Sequence, residues 1–371
     1  MNNPIRILHV IVNMNCGGAE TLLMNLYRNI DRSVIQFDFL TCKEGLFDAE
    51  IAGLDGIVYR IPYITDVGHF EYIKELDNFF SSHSHYKIVH SHLNKMSGFV
   101  LRSAKTADIP VRIAHSHSIQ SNGNIAARLY KWYSGMHISP CATSKLACSI
   151  AAAKWLFNKD ANQACIVKNA IEVDKFKFSQ GLRTAVRREL NIPDGTLAIG
   201  HVGRFVNVKN HVFIADIFAK FVQKKQNTQL ILIGDGPLRS TIEAKINRMG
   251  LSGKVVFLGI RSDVNRLYQA IDVFLFPSLF EGLGNVLIEA QASGLFCIAS
   301  DIIPREVKIT DLVKFVPLSQ PAAFWAEQIF KQGCDYERRD TSDAIAMAGY
   351  DIRDVAKGIE KFYVEQFRLC Q

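Results

Sequence analysis

Short runs rich in Val, Ile, Leu and Phe alternate with longer amphipathic stretches along the whole chain, and this alternation constrains the fold more than any other feature. Extended apolar runs separated by helix-length segments mark βαβ units, which assemble parallel sheets covered by helices. One series comprises IRILHVIVN, FDFLTC, IVYRIP, YKIVHSH, RIAHSHS, PCATS and CIVKNAI. A second comprises LAIGHVGRF, QLILIGDG, KVVFLG, DVFLFPS, FCIASD and VKFVP. Between them lies a polar stretch with a Pro-Asp-Gly turn, which places a hinge near Val173 to Ser179. At 371 residues the chain exceeds one ordinary core, and two α/β domains of about 150 to 200 residues are expected. Doubly wound sheets bind ligands at the carboxyl ends of their strands. Two of them facing each other would enclose a cleft.

With 48% hydrophobic and 21% charged residues the composition is that of a globular protein. No apolar run approaches the roughly 18 residues of a spanning helix. The start MNNPIRILHVIVN enters a strand pattern directly and carries no small-residue cleavage site, so no signal peptide is expected. Eight cysteines (Cys16, Cys42, Cys141, Cys148, Cys165, Cys297, Cys334 and Cys370) show no C-x-x-C and no metal spacing. That fits a reducing cytoplasm. From Lys87 to Lys168 eleven Lys/Arg face two acidic residues, whereas Met1 to Tyr86 holds six against eleven. This basic block points to an anionic partner such as phosphate, a membrane surface or nucleic acid. No helix-turn-helix, RNA-binding or zinc-finger signature accompanies it, so nucleic acid is not expected.

The stretch PSLFEGLGNVLIEAQASG puts Glu281 and Glu289 on either side of a glycine-rich turn. Gly282 and Gly284 argue against one continuous helix. A strand, a loop carrying Glu281, and a helix opening near Asn285 with Glu289 about one turn inside follow instead. Free backbone N–H groups at that helix start suit phosphate. Two carboxylates beside such a seat would repel phosphate and would serve other ligand atoms, such as sugar hydroxyls. The plain alternative is a capped helix with one solvated and one dipole-stabilising glutamate.

Other motifs also fall at strand ends. NMNCGGAETLLMNL brings Gly17 and Gly18 to a helix start with Glu20 in its first turn, and it lacks the G-x-G-x-x-G of nicotinamide sites. His90 with His92, and His115 with His117, form two HSH pairs, each on one face of a strand. Four histidines suit a metal, but no carboxylate or cysteine joins them at ligand spacing, and no metal is expected. In HVGRFVNVKNH, Arg204 after Gly203 and Lys209 five residues on supply a fork and a point charge for a diphosphate. Asp235 in IGDGP is read as turn chemistry.

Taken in order and spacing, GGAE, HVGRF…KN, LIGDGP and FEGLGNVLIEAQASG resemble the retaining glycosyltransferases of family 4, which have the GT-B fold of two Rossmann-like domains. SHLNKMSGF, RIAHSHS, IVKNAIEVDKF and SDIIPRE extend the resemblance over nearly the whole chain, and the members it is most similar to build bacterial surface polysaccharides. The resemblance implies an acceptor-binding domain over residues 1–175 and a donor-binding domain over residues 176–353. It also implies a last helix, about 354–371, that returns to the first domain. It implies that Arg204 and Lys209 grip the donor diphosphate, with the backbone of Gly282, Leu283, Gly284 and Asn285 and the end of Gly203 beside it. Glu289 would bind the ribose and Glu281 the transferred sugar. Gly17 and Gly18 would face the reacting centre, and His115 or His117 would touch the donor sugar. Where the family often has Asn-Gly-Val-Asp, this chain has Asn169-Ala170-Ile171-Glu172. A nucleotide-sugar donor, most often UDP-linked, retention at the anomeric carbon and no divalent metal or cofactor are implied likewise.

On the acceptor side, NIAARLYKWYSGMHIS interleaves Arg128 and Lys131 with Tyr130, Trp132 and Tyr133, a pattern suited to a headgroup layer. With Glu20 and His92 these residues are the acceptor-side candidates. The expected enzyme is cytoplasmic, peripheral on the anionic inner membrane, and takes a saccharide or lipid-diphosphate-linked acceptor. A GT-B-like nucleotide-sugar 2-epimerase and a non-enzymatic binder of anionic ligands are the other readings.

Overall fold

Each series of apolar runs forms one parallel sheet in the computed structural model, which describes residues 3–15, 17–121, 123–333 and 336–370. Cys16 and Cys334 lie outside the described residues. The first sheet contains β1 (Ile5–Val10), β2 (Ile35–Thr41), β3 (Val58–Arg60), β4 (Ile88–Ser91), β5 (Val111–Ser116), β6 (Ser144–Ala147) and β7 (Cys165–Ile166). Its order is β3-β2-β1-β4-β5-β6-β7. The second contains β8 (Leu197–Val202), β9 (Thr228–Ile233), β10 (Val255–Gly259), β11 (Val273–Phe276), β12 (Phe296–Ser300) and β13 (Val313–Val316), in the order β10-β9-β8-β11-β12-β13. All pairings between these strands are parallel. Both are doubly wound sheets whose strand order reverses beside the first strand of the series, at β1/β4 and at β8/β11.

The chain divides into two compact units, Met1–Ile171 with Gly349–Gln371, and Glu172–Ala348. The sequence pattern overruns several of the strands it marks, most clearly at PCATS and CIVKNAI. Pro140 and Cys141 of PCATS belong to a short helix, Ile138–Cys141, so β6 begins only at Ser144. CIVKNAI pairs over two residues, because the chain then turns to bring Ile171 beside Asp351.

In the first unit, β2 is buried along its whole length and carries a charge inside it. Asp38 accepts hydrogen bonds from Arg6 Nε at 2.6 Å, Tyr86 Oη at 2.7 Å and Ile57 N at 2.8 Å. A buried carboxylate is tolerated only when its lone pairs are filled in this way. The chain returns to this unit at Gly349, five residues before the expected Asp354, where Tyr350 O accepts from Ile171 N at 2.9 Å. The last helix, Ile352–Arg368, is capped by Asp351 accepting from Arg353 N. It buries Ile352, Ala356, Ile359 and Tyr363, one helical stripe, in the core with Ile7, Leu22, Leu26 and Phe37.

In the second unit Asp272 ties the helix Gln180–Glu189 to the sheet. It takes Arg183 Nη2 at 2.5 Å, Arg187 Nη1 at 3.2 Å and the Ala198 amide at 2.7 Å. Among the described residues no helix is long and apolar enough to cross a membrane.

Candidate active site

In the second unit the reversal point at β8 and β11 is where the charged motifs meet. β11 ends at Phe276, and a loop carrying Glu281 leads to the helix Asn285–Ala292. Gly284 caps that helix with φ +93, a left-handed conformation that glycine adopts freely, and a Cβ there would lie 3.3 Å from the Phe276 ring. This turn leaves Glu281 outside the helix and Glu289 inside it.

The loop after β8 is stitched to this one by Leu279 N donating to Val208 O at 2.8 Å and Asn210 Nδ2 donating to Pro277 O at 3.1 Å. Lys209 Nζ thereby reaches Glu281 Oε1 at 2.6 Å and lies 5.2 Å from the centre of the Phe276 ring. The side chains of this ion pair are 18% and 11% exposed, so solvent screens it only in part. Arg204, just beyond Gly203 at the end of β8, is exposed, and its guanidinium makes no ion pair among the described residues. Lys209 spends one of its three donors on Glu281, and the remaining donors are suited to an anion.

Glu289 accepts from Tyr268 Oη at 3.1 Å, and the same hydroxyl lies 3.0 Å from Val286 O. Burial pushes the Glu289 carboxyl up to about 7, against the opposing pull of the Tyr268 hydrogen bond and the Lys209 charge. Asp235 accepts from Gly236 N at 2.6 Å and pairs with Arg239, as turn chemistry requires.

In the first unit the helix Gly18–Asn29 begins after Gly17, and Glu20 folds over that glycine. A Cβ on Gly17 would meet Glu20 Oε2 at 2.2 Å. Burial raises the Glu20 carboxyl above its ordinary value. The HSH pairs adopt the same-face arrangement expected of them, with ring centres 4.2 Å apart for His90 and His92 and 4.0 Å for His115 and His117. His115 is buried, whereas His117 is half-buried, its backbone N–H held by Asn94 Oδ1 at 2.9 Å. His92 is buried with both ring nitrogens engaged, by His9 at 3.0 Å and by His117 at 2.8 Å.

The basic aromatic stretch forms the helix Ile125–Gly135, with Asn124 capping it. Tyr130 packs inward and meets His69 Nδ1 at 2.5 Å. Ile125, Leu129, Trp132, Tyr133 and, just past the helix, Met136 are exposed, beside exposed Arg128 and half-buried Lys131.

Sequence reasoning missed Tyr268, His9 and Tyr363. Tyr268 reads as one more core aromatic, and His9 stands alone inside an apolar strand. Tyr363 lies 273 residues from its partner His90, whose Nδ1 it meets at 2.6 Å. Only the period-two pattern of β1, which puts His9 on one face of the sheet, offered a signal.

Two doubly wound parallel sheets, with an ion-paired lysine and glutamate at one reversal point and an exposed arginine that makes no ion pair among the described residues, define a Rossmann-type ligand-binding protein. The family model of Glycosyl transferases group 1 matches residues 196–329, which hold this second-unit site. The chain is 36% identical over 356 residues to EpsF of Bacillus subtilis (strain 168), a protein named as a glycosyltransferase, covering 93% of each. It is 26% identical over 320 residues to UDP-Gal:alpha-D-GlcNAc-diphosphoundecaprenol alpha-1,3-galactosyltransferase of Escherichia coli, covering 81% of this chain and 80% of that one. With the capsular polysaccharide biosynthesis glycosyltransferase CapH of Staphylococcus aureus it shares 24% identity over 306 residues, covering 80% and 82%. Among solved structures, Anabaena HepE in complex with UDP-glucose superimposes with a TM-score of 0.77 at 18% identity, covering 97% of this chain and 99% of that one. The fold is GT-B. The chain belongs to the group 1 glycosyltransferases and is a glycosyltransferase of polysaccharide biosynthesis.

Proposed function

We propose that this enzyme moves a sugar from a UDP-sugar, with retention at the anomeric carbon and without a metal ion, to a saccharide or lipid-diphosphate-linked acceptor. The observation that carries the reading is the Lys209–Glu281 ion pair between the loops at the carboxyl ends of β8 and β11, with exposed Arg204 on the first of these loops. A diphosphate entering there takes the Arg204 fork and the remaining Lys209 donors, with the amides around Gly284 and Asn285 beside it. These groups supply positive charge where a divalent ion would otherwise be needed. Glu281, already aligned by Lys209, accepts from a sugar hydroxyl. Glu289 under Tyr268 accepts from the ribose.

In the transfer, the bond between the anomeric carbon and the diphosphate oxygen breaks, and the acceptor oxygen bonds to the same face. The acceptor proton passes to the departing phosphate, so no protein base is required. The relative from Escherichia coli is named for a UDP-sugar donor and a diphosphoundecaprenol-linked acceptor, and HepE was solved with UDP-glucose. Both names favour the UDP reading. The exposed aromatics and basic residues of the helix Ile125–Gly135 favour docking on an anionic inner membrane surface, where a lipid-linked acceptor would be reached.

Thermal unfolding with UDP, GDP, ADP and their sugars, each with and without EDTA, tests the reading. Ligand at about 100 times its dissociation constant adds roughly 2.7 kcal/mol of stability. UDP and one UDP-sugar should raise the midpoint equally with and without chelator. A rise that EDTA abolishes would refute the metal-free site, and no rise with any nucleotide would refute the donor assignment.

A further inference from the structure

The two HSH pairs do not stand alone. His9 of β1 joins them, so five imidazoles gather where β1, β4 and β5 lie side by side. His9 Nδ1 lies 3.0 Å from His92 Nε2, His92 Nδ1 lies 2.8 Å from His117 Nε2, and His90 Nε2 lies 3.1 Å from His115 Nδ1. One ring nitrogen each of His92, His115 and His117 lies within 4.8 Å of those of the other two, and the same holds for His9, His90 and His92.

We propose that His92, His115 and His117 form a binding site for a divalent transition metal of the zinc class, with its fourth position open beside His117. Three observations carry this. First, hydrogen bonding within the cluster leaves His9 Nε2, His115 Nε2 and His117 Nδ1 buried with no partner among the described residues. A buried polar atom without a partner costs about 1 to 3 kcal/mol, and a cation would satisfy those of His115 and His117.

Second, the outer partners that orient ligating histidines are already in place. Ligation through His115 Nε2 and through His92 Nδ1, which gives up its 2.8 Å contact with His117 Nε2, leaves His92 Nε2–H to donate to His9 Nδ1, and His115 Nδ1–H to donate to His90 Nε2. His90 Nδ1–H in turn donates to Tyr363 Oη at 2.6 Å. Third, a site needs an entry path. The group His9, His90 and His92 is closed on all sides by burial, whereas the chosen group has half-buried His117 at its rim.

The donor set fixes the class of ion. Among the described residues no carboxylate or thiolate joins either group. Imidazoles alone suit Zn²⁺, Cu²⁺, Ni²⁺ or Co²⁺ and not Mg²⁺ or Ca²⁺. The site lies in the first unit and is independent of the diphosphate reading, which concerns the second.

The test uses the untagged full chain, stripped with EDTA, desalted and titrated with CoCl₂. About one cobalt ion per chain should remain after desalting, with the strong visible absorption of four-coordinate Co(II), and ZnCl₂ should bleach it. H117Q, at the rim and the least buried of the three, should weaken binding by about 100-fold. H85Q, at an exposed histidine outside the cluster, should leave it unchanged. Unfolding of metal-free H117Q at a midpoint near that of the wild type would show that the variant is folded. Absence of stoichiometric cobalt in the wild type, a weak six-coordinate spectrum, or binding that survives H117Q overturns the proposal. Loss of nucleotide binding alone would not.

Discussion

Glu289 is held in its folded state with a carboxyl near 7, against an ordinary 4.5, because burial disfavours its charge more than the Tyr268 hydrogen bond and the Lys209 charge favour it. Between about pH 4.5 and about pH 7 the folded chain therefore binds more protons than the unfolded one, and stability falls as pH rises through that window. The full effect corresponds to roughly 3 kcal/mol, reduced by whatever solvent reaches the half-buried group. Glu289→Gln should be more stable than the wild type above this window, with an advantage that shrinks toward its lower end. Thermal midpoints of both proteins across the range check it, and a constant difference at all pH values would refute it. The same substitution should weaken UDP binding. Glu281 and Glu289 were legible as a pair from their spacing around Gly282 and Gly284. That Glu281 is matched by Lys209, 72 residues away, was not, because an ion pair between two loops depends on which strands lie side by side.

At the scale of the element, the helix Ile125–Gly135 departs from the usual rule that aromatics turn inward. Leu129 and Trp132 are 60% and 57% exposed, on the face that also shows Ile125 and Met136. Basic residues near an anionic surface contribute about 1 kcal/mol each. The protein should float with phosphatidylglycerol vesicles at low salt and less at high salt. The double substitution Leu129→Gln and Trp132→Gln should reduce flotation about tenfold without lowering the thermal midpoint, since both side chains contact solvent. Equal flotation of the two proteins would rule this helix out as the docking element. The basic-aromatic interleaving was legible in the sequence, but which rings turn inward was not, since Tyr130 meets His69, 61 residues away, and Tyr133 meets Phe99.

For the whole molecule, the first unit is built from two chain segments that the second unit separates. Ile352, Ala356, Ile359 and Tyr363 complete the core begun by β1 and the helix Gly18–Asn29. Ending the chain at Asp351 removes four buried side chains, three of them large and apolar, each of which contributes about 1.5 to 3 kcal/mol. That sum rivals the 5 to 15 kcal/mol typical of a whole domain. The truncated chain should lose the cooperative unfolding of its first unit in calorimetry. Ile359→Ala in the full chain should instead lower the midpoint by the equivalent of about 2 to 5 kcal/mol. Retention of both transitions in the truncated chain would refute this account of the core.

The sequence by itself determined the class of fold, since apolar runs spaced by amphipathic helices can bury their faces only as parallel sheets. It also placed the charged motifs at strand ends, because glycine-rich turns stop strands wherever they occur. Tertiary structure alone decided the partners: Tyr268 over Glu289, Lys209 on Glu281, and His9 beside His90 and His92. Strand order is set by burial summed over a whole sheet, and a residue's own neighbours in sequence carry no record of which strand will lie next to it.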